Sequence, residues 1–276
     1  NKPVLESMVE LLRHHGFNTI ILSTAYRAAD IENYFRDGSR FGVEIAYCFE
    51  GYHADGRVVP EGLGAAGGLK KIQEDTGFFD GTFAVVCGDV IVDLDFTKAL
   101  AFHRRKKAAA TMLLKDLPRK DVGRYGVVQV SADRRIQQFE EKPAPEVAIS
   151  TTVNTGIYLF EPSVLDYVPS GQPFDIAWEF FPRLLQAGVP FYGLTMPFTW
   201  IDVGTVPDYW QATRMTLVGE LPMIRMLGRE TAAQGWAGTR RLGGRRFCGM
   251  TGSGRARRWA MRSGNRRATK TPRSPG

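Results

Sequence analysis

Residues 83–96, FAVVCGDVIVDLDF, form an apolar run that breaks on an acid. The opening residues Phe83, Ala84, Val85, Val86 and Cys87 are too few for an ordinary helix and lie between Gly81 and Gly88, so the spacing predicts a buried strand over 83–88. Asp89 follows directly at its carboxyl end. In an open parallel α/β sheet, ligands gather outside the carboxyl ends of the strands, where an acidic side chain meets a metal ion or a ribose. The chain is read outward from this aspartate.

Upstream, apolar residues at 4, 5, 8, 11 and 12 form a helical stripe stopped by Gly16. A β-branched strand at 19–23, a helix at 28–35 and a strand at 43–49 follow. A polar loop with Gly51, Gly56 and Pro60 then leads through the glycine-rich run 62–68 into a helix at 69–75. Downstream, a helix at 97–107 and a strand at 109–114 continue the alternation, which is the pattern of a parallel sheet with helices on its faces. After Pro118 the rhythm becomes mixed and partly antiparallel. It comprises a hairpin of strands 126–131 and 135–140, a strand at 151–160, a helix at 175–187 interrupted by Pro182, strands at 190–195 and 198–202, and a helix at 206–218 capped by Thr205. This half is expected to extend the sheet and fold over its ligand edge.

The net charge of +7 is unevenly placed. Residues 221–276 hold 14 Lys plus Arg against the single acid Glu230, whereas the rest of the chain holds 22 basic and 28 acidic residues. The chain therefore reads as an acidic body with a basic tail. That tail carries only five Leu, Ile, Val or Phe and no period, the composition of a disordered segment. Its arginines could neutralise nucleic-acid phosphates. With no regular aromatic interleaving and no binding module, nucleic acid is not the expected partner; a chain that has lost its proper continuation is the preferred reading. No apolar run reaches membrane-spanning length and no signal peptide opens the chain, so a soluble, cytoplasmic protein is expected. The scattered Cys48, Cys87 and Cys248 point to neither a disulfide framework nor a zinc site.

The acid after the first strand has a counterpart in Trp200-Ile201-Asp202-Val203-Gly204, again an aspartate at a strand end with a glycine close behind. Two such carboxylates can converge on one crevice and hold Mg²⁺, which fills its remaining shell with water and phosphate oxygens. Asp93 and Asp95 offer a rival DxD pair, as in metal-dependent glycosyltransferases, but capping of the next helix is their expected role. The glycine run permits close backbone approach to a ligand, although it is neither GxGxxG after a strand nor a P-loop. Asn154, a polar amide in the apolar strand TTVNTGIYLF, must find hydrogen-bond partners, and a sugar hydroxyl is one.

Taken in order, EGLGAAGG, FAVVCGDV, RYGVV, FEEKP, VNTGIYLF and WIDVG resemble the sugar-1-phosphate nucleotidyltransferases, most closely the mannose-1-phosphate guanylyltransferase-like members, over residues 1 to about 218. The resemblance implies an α/β fold, a Rossmann-like, GT-A-like mixed sheet with helices on both faces. It implies a domain at 1–218 and an Arg/Gly-rich, disordered tail at 219–276. The implied reaction joins a nucleoside triphosphate to a sugar 1-phosphate, releasing a nucleotide sugar and pyrophosphate, with GTP and mannose 1-phosphate as the expected pair and Mg²⁺ as cofactor. By resemblance, Asp89 and Asp202 hold the metal and Lys142 contacts the sugar phosphate as the catalytic residue. Glu141, Asn154 and the Gly126 backbone bind the sugar, and Gly64 and Gly67 line the base and ribose pocket with Asp89. A homo-oligomer is compatible with the resemblance.

Two departures qualify these expectations. The GGxGTRL start and its following PKP, which grip the triphosphate, are not in this sequence, and Lys2 is not expected to replace their lysine. Ala65 also stands where Thr is common in the family. Weak or no turnover is therefore expected of the 276 residues, with a nucleotide-sugar-binding regulatory subunit as the alternative.

Overall fold

The computed structural model describes residues 2–54, 57–60 and 62–221. The Arg/Gly-rich tail, from residue 222 onward, lies outside the described residues. Helix α1 (Val4–His14) leads into strand β1 (Thr19–Thr24), and helix α2 (Ala28–Phe35) into β2 (Glu44–Phe49), which pairs with β1 in parallel. The segment expected to be a polar loop forms two short antiparallel strands, β3 (Gly51–Ala54) and β4 (Arg57–Pro60). Their glycine and proline content had masked the pairing, because it also marks turns.

Helix α3 (Gly64–Thr76) starts five residues earlier than its apolar period indicates. Its first five residues, Gly64 to Gly68, are all glycine or alanine because another backbone passes against them. A Cβ on Gly64 would come within 2.6 Å of the Phe174 carbonyl oxygen, and one on Gly67 within 3.2 Å of that of Gln172. The Gly67 N–H donates to Phe174 O at 3.1 Å, and the Phe174 N–H to Leu63 O at 2.7 Å.

The opening stretch divides into two strands. β5 (Phe83–Val86) ends before Cys87, and β6 (Val90–Val92) pairs antiparallel with the later β12 (Trp200–Asp202). The predicted 83–88 strand is shorter because the chain turns at Cys87, Gly88 and Asp89 to change partners. Helix α4 (Phe96–Lys106) follows, capped by Asp95, whose Oδ1 accepts the Lys98 N–H at 3.0 Å. Asp93 takes no part in the cap: it faces Lys115, whose Nζ donates to Phe198 O at 2.6 Å.

The main sheet is built on β7 (Ala110–Asp116), β8 (Gly126–Val130), β9 (Ile136–Glu141), β10 (Thr152–Phe160) and β11 (Phe191–Thr195), in the order β11-β7-β10-β8-β9. Only β11 and β7 run parallel; β10 is antiparallel to β7, β8 and β5, and β8 to β9. Long β10 lies against β7 on one edge. Its other edge is divided, with β8 meeting Val153 and β5 meeting Ile157 to Phe160. A bulge between Asn154 and Tyr158 separates the two, with Gly156 at φ +73°.

Alternation along β10 sorts its side chains to two cores. Tyr158 and Phe160 join Met112, Leu114, α3 and helix α5 (Phe181–Gln186) on one face. Ile157 and Leu159 join Leu113, α1, α2 and α4 on the other. The sheet is therefore mixed and covered by helices on both faces. Pro182 lies in the first turn of α5, where its missing N–H is not needed. A π-turn at Ile176–Phe180 precedes it, and Asp175 caps that turn through the N–H groups of Ala177 and Trp178.

Helix α6 (Val206–Val218) is capped by Thr205, as expected, and ends at Gly219 with φ +80°. Leu221, the residue on which the tail composition begins, is buried with Ile91, Ile201 and Ala212. Among the described residues, no helix is long and apolar enough to cross a membrane.

Candidate active site

The division of the β10 edge creates the crevice. Where β5 stops, the Cys87 N–H donates to Gly156 O at 3.2 Å, and the chain leaves the sheet through Gly88 and Asp89. β12 then lies along β6 with Asp202 opposite Val90, and the Val203 N–H donates to Asp89 O at 3.0 Å. Two aspartates 113 positions apart in sequence are thereby fastened side by side by backbone hydrogen bonds. Trp200 supports this from behind, its Nε1–H donating to Thr155 O at 3.0 Å.

Electrostatics reports the proximity. The Asp202 carboxyl is held above its ordinary range, first by burial and then by repulsion from Asp89; Arg124 and Lys142 oppose the shift. Burial, and after it the same two carboxylates, push the Cys87 thiol up to about 12, so it is an inert packing group under the site. Among the described residues no cluster of three or more His, Cys, Asp or Glu side chains could hold a metal. A pair of carboxylates is nevertheless what Mg²⁺ requires when phosphate oxygens and water complete its shell, so Asp89 and Asp202 fit that ion by donor type.

The other expected residues approach the same crevice from the β8–β9 hairpin. Gly126 is opposite Glu141 in the ladder, and a Cβ on it would lie 2.5 Å from Phe139 Cζ and 2.8 Å from Glu141 Oε2. A bare Cα is thus what allows the Glu141 side chain to fold over this strand. The Glu141 carboxyl is raised by burial, which Lys142 partly offsets. Lys142 Nζ lies 3.5 Å from Glu141 Oε1. Its backbone is left-handed at φ +49°, and its N–H donates to Tyr125 O at 3.1 Å. Lysine tolerates that region poorly, so the turn holds a lysine there at some conformational cost.

Asn154 finds its partners within the protein. Its Nδ2 donates to the Tyr158 hydroxyl at 2.9 Å and its Oδ1 accepts the Gly156 N–H at 2.9 Å. The amide therefore fixes the bulge, and one of its two N–H donors is left over. Gly64 and Gly67 lie on the stretch packed against 172–174, where their lack of Cβ is already used by the protein itself. The DxD alternative is not assembled, because Asp95 is committed to its cap and Asp93 to the neighbourhood of Lys115. Lys2 pairs with Glu10 at 2.5 Å on α1.

Arg124 was not anticipated. Its Nη2 lies 3.2 Å from Asp208 Oδ2 and 3.8 Å from Asp202 Oδ2. The signal was present in the sequence, since Thr205 and Asp208 have the spacing of a capping box and Arg124 opens the RYGVV motif. Nothing short of tertiary contact places one beside the other.

Comparison with known proteins identifies the family and the fold. The profile of the family described as Nucleotidyl transferase matches residues 1–218. A UTP–glucose-1-phosphate uridylyltransferase from Synechocystis sp. is 53% identical over 229 residues, covering 83% of this chain and 59% of the relative. A mannose-1-phosphate guanylyltransferase catalytic subunit beta from Xenopus tropicalis is 31% identical over 211 residues, covering 76% of this chain and 54% of the relative. The chain thus spans between half and two thirds of the length of these curated relatives. Among solved structures, a Bacillus anthracis protein assigned as a glucose-1-phosphate thymidylyltransferase, solved with a sucrose, superposes with a TM-score of 0.64 at 25% identity, over 77% of this chain and 82% of that one. The mixed sheet with helices on both faces is accordingly the Rossmann-like, GT-A-type arrangement expected from the sequence. With a matching family profile over residues 1–218 and relatives named as sugar-1-phosphate nucleotidyltransferases, the chain belongs to the nucleotidyl transferase family.

Proposed function

We propose that the chain carries the sugar-1-phosphate nucleotidyltransferase site of a protein that joins UTP to glucose 1-phosphate, releasing UDP-glucose and pyrophosphate. The observation that carries the chemistry is the pairing of Asp89 with Asp202 beside Lys142 and Arg124. GTP and mannose 1-phosphate are the pair expected from the resemblance of the motifs to the mannose-1-phosphate guanylyltransferase-like members. The relative at 53% identity is named for UTP and glucose 1-phosphate, whereas the guanylyltransferase relative stands at 31%, so the reading of base and sugar moves accordingly.

In this reading an oxygen of the sugar phosphate attacks the α-phosphorus of the nucleotide. A new P–O bond forms as the bond to the β-phosphate bridging oxygen breaks, and pyrophosphate leaves with the electron pair. Such a transfer asks the protein chiefly for alignment and charge neutralisation. Asp89 and Asp202 would hold Mg²⁺, which when bound supplies positive charge to the phosphate oxygens. Lys142, held forward by its turn, would contact the sugar phosphate. Glu141 and the spare N–H of Asn154 would bind sugar hydroxyls, with the flush Gly126 backbone beside them. Gly64 and Gly67 would border the base and ribose, their close fit to 172–174 forming one wall.

Ligand-induced stabilisation of the 276-residue chain tests the reading directly. UDP-glucose with Mg²⁺ should raise Tm, by an amount that grows with ligand concentration, more than GDP-mannose does at equal concentration. The reverse order would restore the guanylyl assignment; no response to either would remove the nucleotide-sugar reading.

A further inference from the structure

Asp202 and Asp89 repel each other in a half-buried crevice, and such a pair needs a compensating charge when no cation is bound. The described structure holds one within reach. Arg124 Nη2 is 3.8 Å from Asp202 Oδ2 and 3.2 Å from Asp208 Oδ2. Asp208 Oδ2 also accepts the Thr205 hydroxyl at 2.7 Å, which ties the carboxylate to the first turn of α6. The guanidinium lies over the Tyr125 ring, 5.4 Å from its centroid, and that ring meets Trp200 edge-on at 5.0 Å. Gly204 lies alongside: a Cβ there would sit 3.7 Å from Arg124 Nη2 and 3.8 Å from both carboxyl oxygens of Asp202, ordinary van der Waals separations.

We propose that Arg124 is a positioning residue for the carboxylate pair: tethered to α6 by Asp208, its guanidinium holds Asp202 while the pair is without a cation and yields that carboxylate as a cation enters. The inference rests on the reading of Asp89 and Asp202 as a cation site. Arg124 and a cation are both positive and both seek Asp202, so each excludes the other. Asp208 already takes the shorter contact, so the guanidinium can release Asp202 without leaving its ion pair. Thr205 and Asp208 thus set how readily the site accepts a metal ion, although neither of them would bind it.

Mn²⁺ alone is the probe, with free ion measured by electron paramagnetic resonance on the full 276-residue chain at fixed pH and low salt. Asp202→Asn should abolish saturable binding. Arg124→Gln should tighten binding roughly two- to fivefold, the scale of a half-exposed ion pair, while Arg124→Lys keeps the charge and should stay nearer the original affinity. Asp208→Asn should weaken binding, because the freed guanidinium turns wholly to Asp202, and this effect should vanish in the Arg124→Gln background. Unchanged or weaker binding in Arg124→Gln, with Asp202→Asn inactive in binding, would overturn the role of Arg124 and leave the cation site standing. An Asp208→Asn effect of equal size in both backgrounds would overturn the tether. If Asp202→Asn binds Mn²⁺ as the unsubstituted chain does, the cation-site reading fails, and the role of Arg124 fails with it.

Discussion

Asp202 shows at the level of a single residue how function opposes stability. Burial, and after it Asp89, raise its carboxyl above the ordinary value of 3.8. The folded chain therefore binds a proton there more readily than the unfolded chain does, and stability falls as pH rises from that ordinary value through the raised one. In cation-free buffer, Asp202→Asn should have a higher Tm than the unsubstituted chain at neutral pH. The gap should narrow as pH falls toward the ordinary carboxylate range, read by thermal melts across a pH series. An equal gap at all pH values would mean that packing, and not charge, is responsible. His103 follows the opposite sign: burial lowers it, so its neutral form favours folding above its ordinary value of 6.5, and that contribution is lost as pH falls below it. Asp202 was legible in the sequence as an acid at a strand end. Arg124 was not, because its importance lies in two contacts made across 78 and 84 positions.

At the level of elements, the start of α6 connects helix formation to the site. Thr205 accepts the Asp208 N–H at 3.3 Å as the helix cap and donates its hydroxyl to the Asp208 carboxylate. Thr205→Ala should cost about 1 kcal/mol and lower Tm by about 2–4 °C for a domain of this size, whereas Thr205→Ser should retain most of both. Differential scanning calorimetry of the two variants decides this. Helix α6 was predictable because its cap, Pro207 in the first turn and Gly219 at its end are local signals. Helix α3 was placed late for the opposite reason. Its glycines read as a loop from the chain alone, and only the passage of 172–174 against them explains why a helix starts where Cβ atoms are missing.

At the level of the whole molecule, the last described residue closes a small core. Leu221 is 1% exposed and packs with Ile91 of β6 and Ile201 of β12, the strands that carry the chain into and out of the aspartate pair. Leu221→Ala should therefore destabilise by about 2–5 kcal/mol, read as a lower urea midpoint with an unchanged slope. A loss of well under 1 kcal/mol would show that β6 and β12 do not depend on that contact. Composition alone assigned this residue to the tail, because a single leucine in an arginine-rich stretch has no periodicity to announce its burial.

By itself the sequence determined which segments are helices and strands where local signals exist, that the sheet is mixed after Pro118, and that Asp202 is an acid at a strand end. Those properties follow from short-range spacing, which survives in the unfolded chain. Only the tertiary structure decided that β5 ends at Cys87, that the edge of β10 divides at the Gly156 bulge, and that Asp89 and Asp202 are bound side by side with Arg124 between Asp202 and α6. Each depends on backbone hydrogen bonds or charges brought together from distant positions, and neither has a local trace in the order of residues.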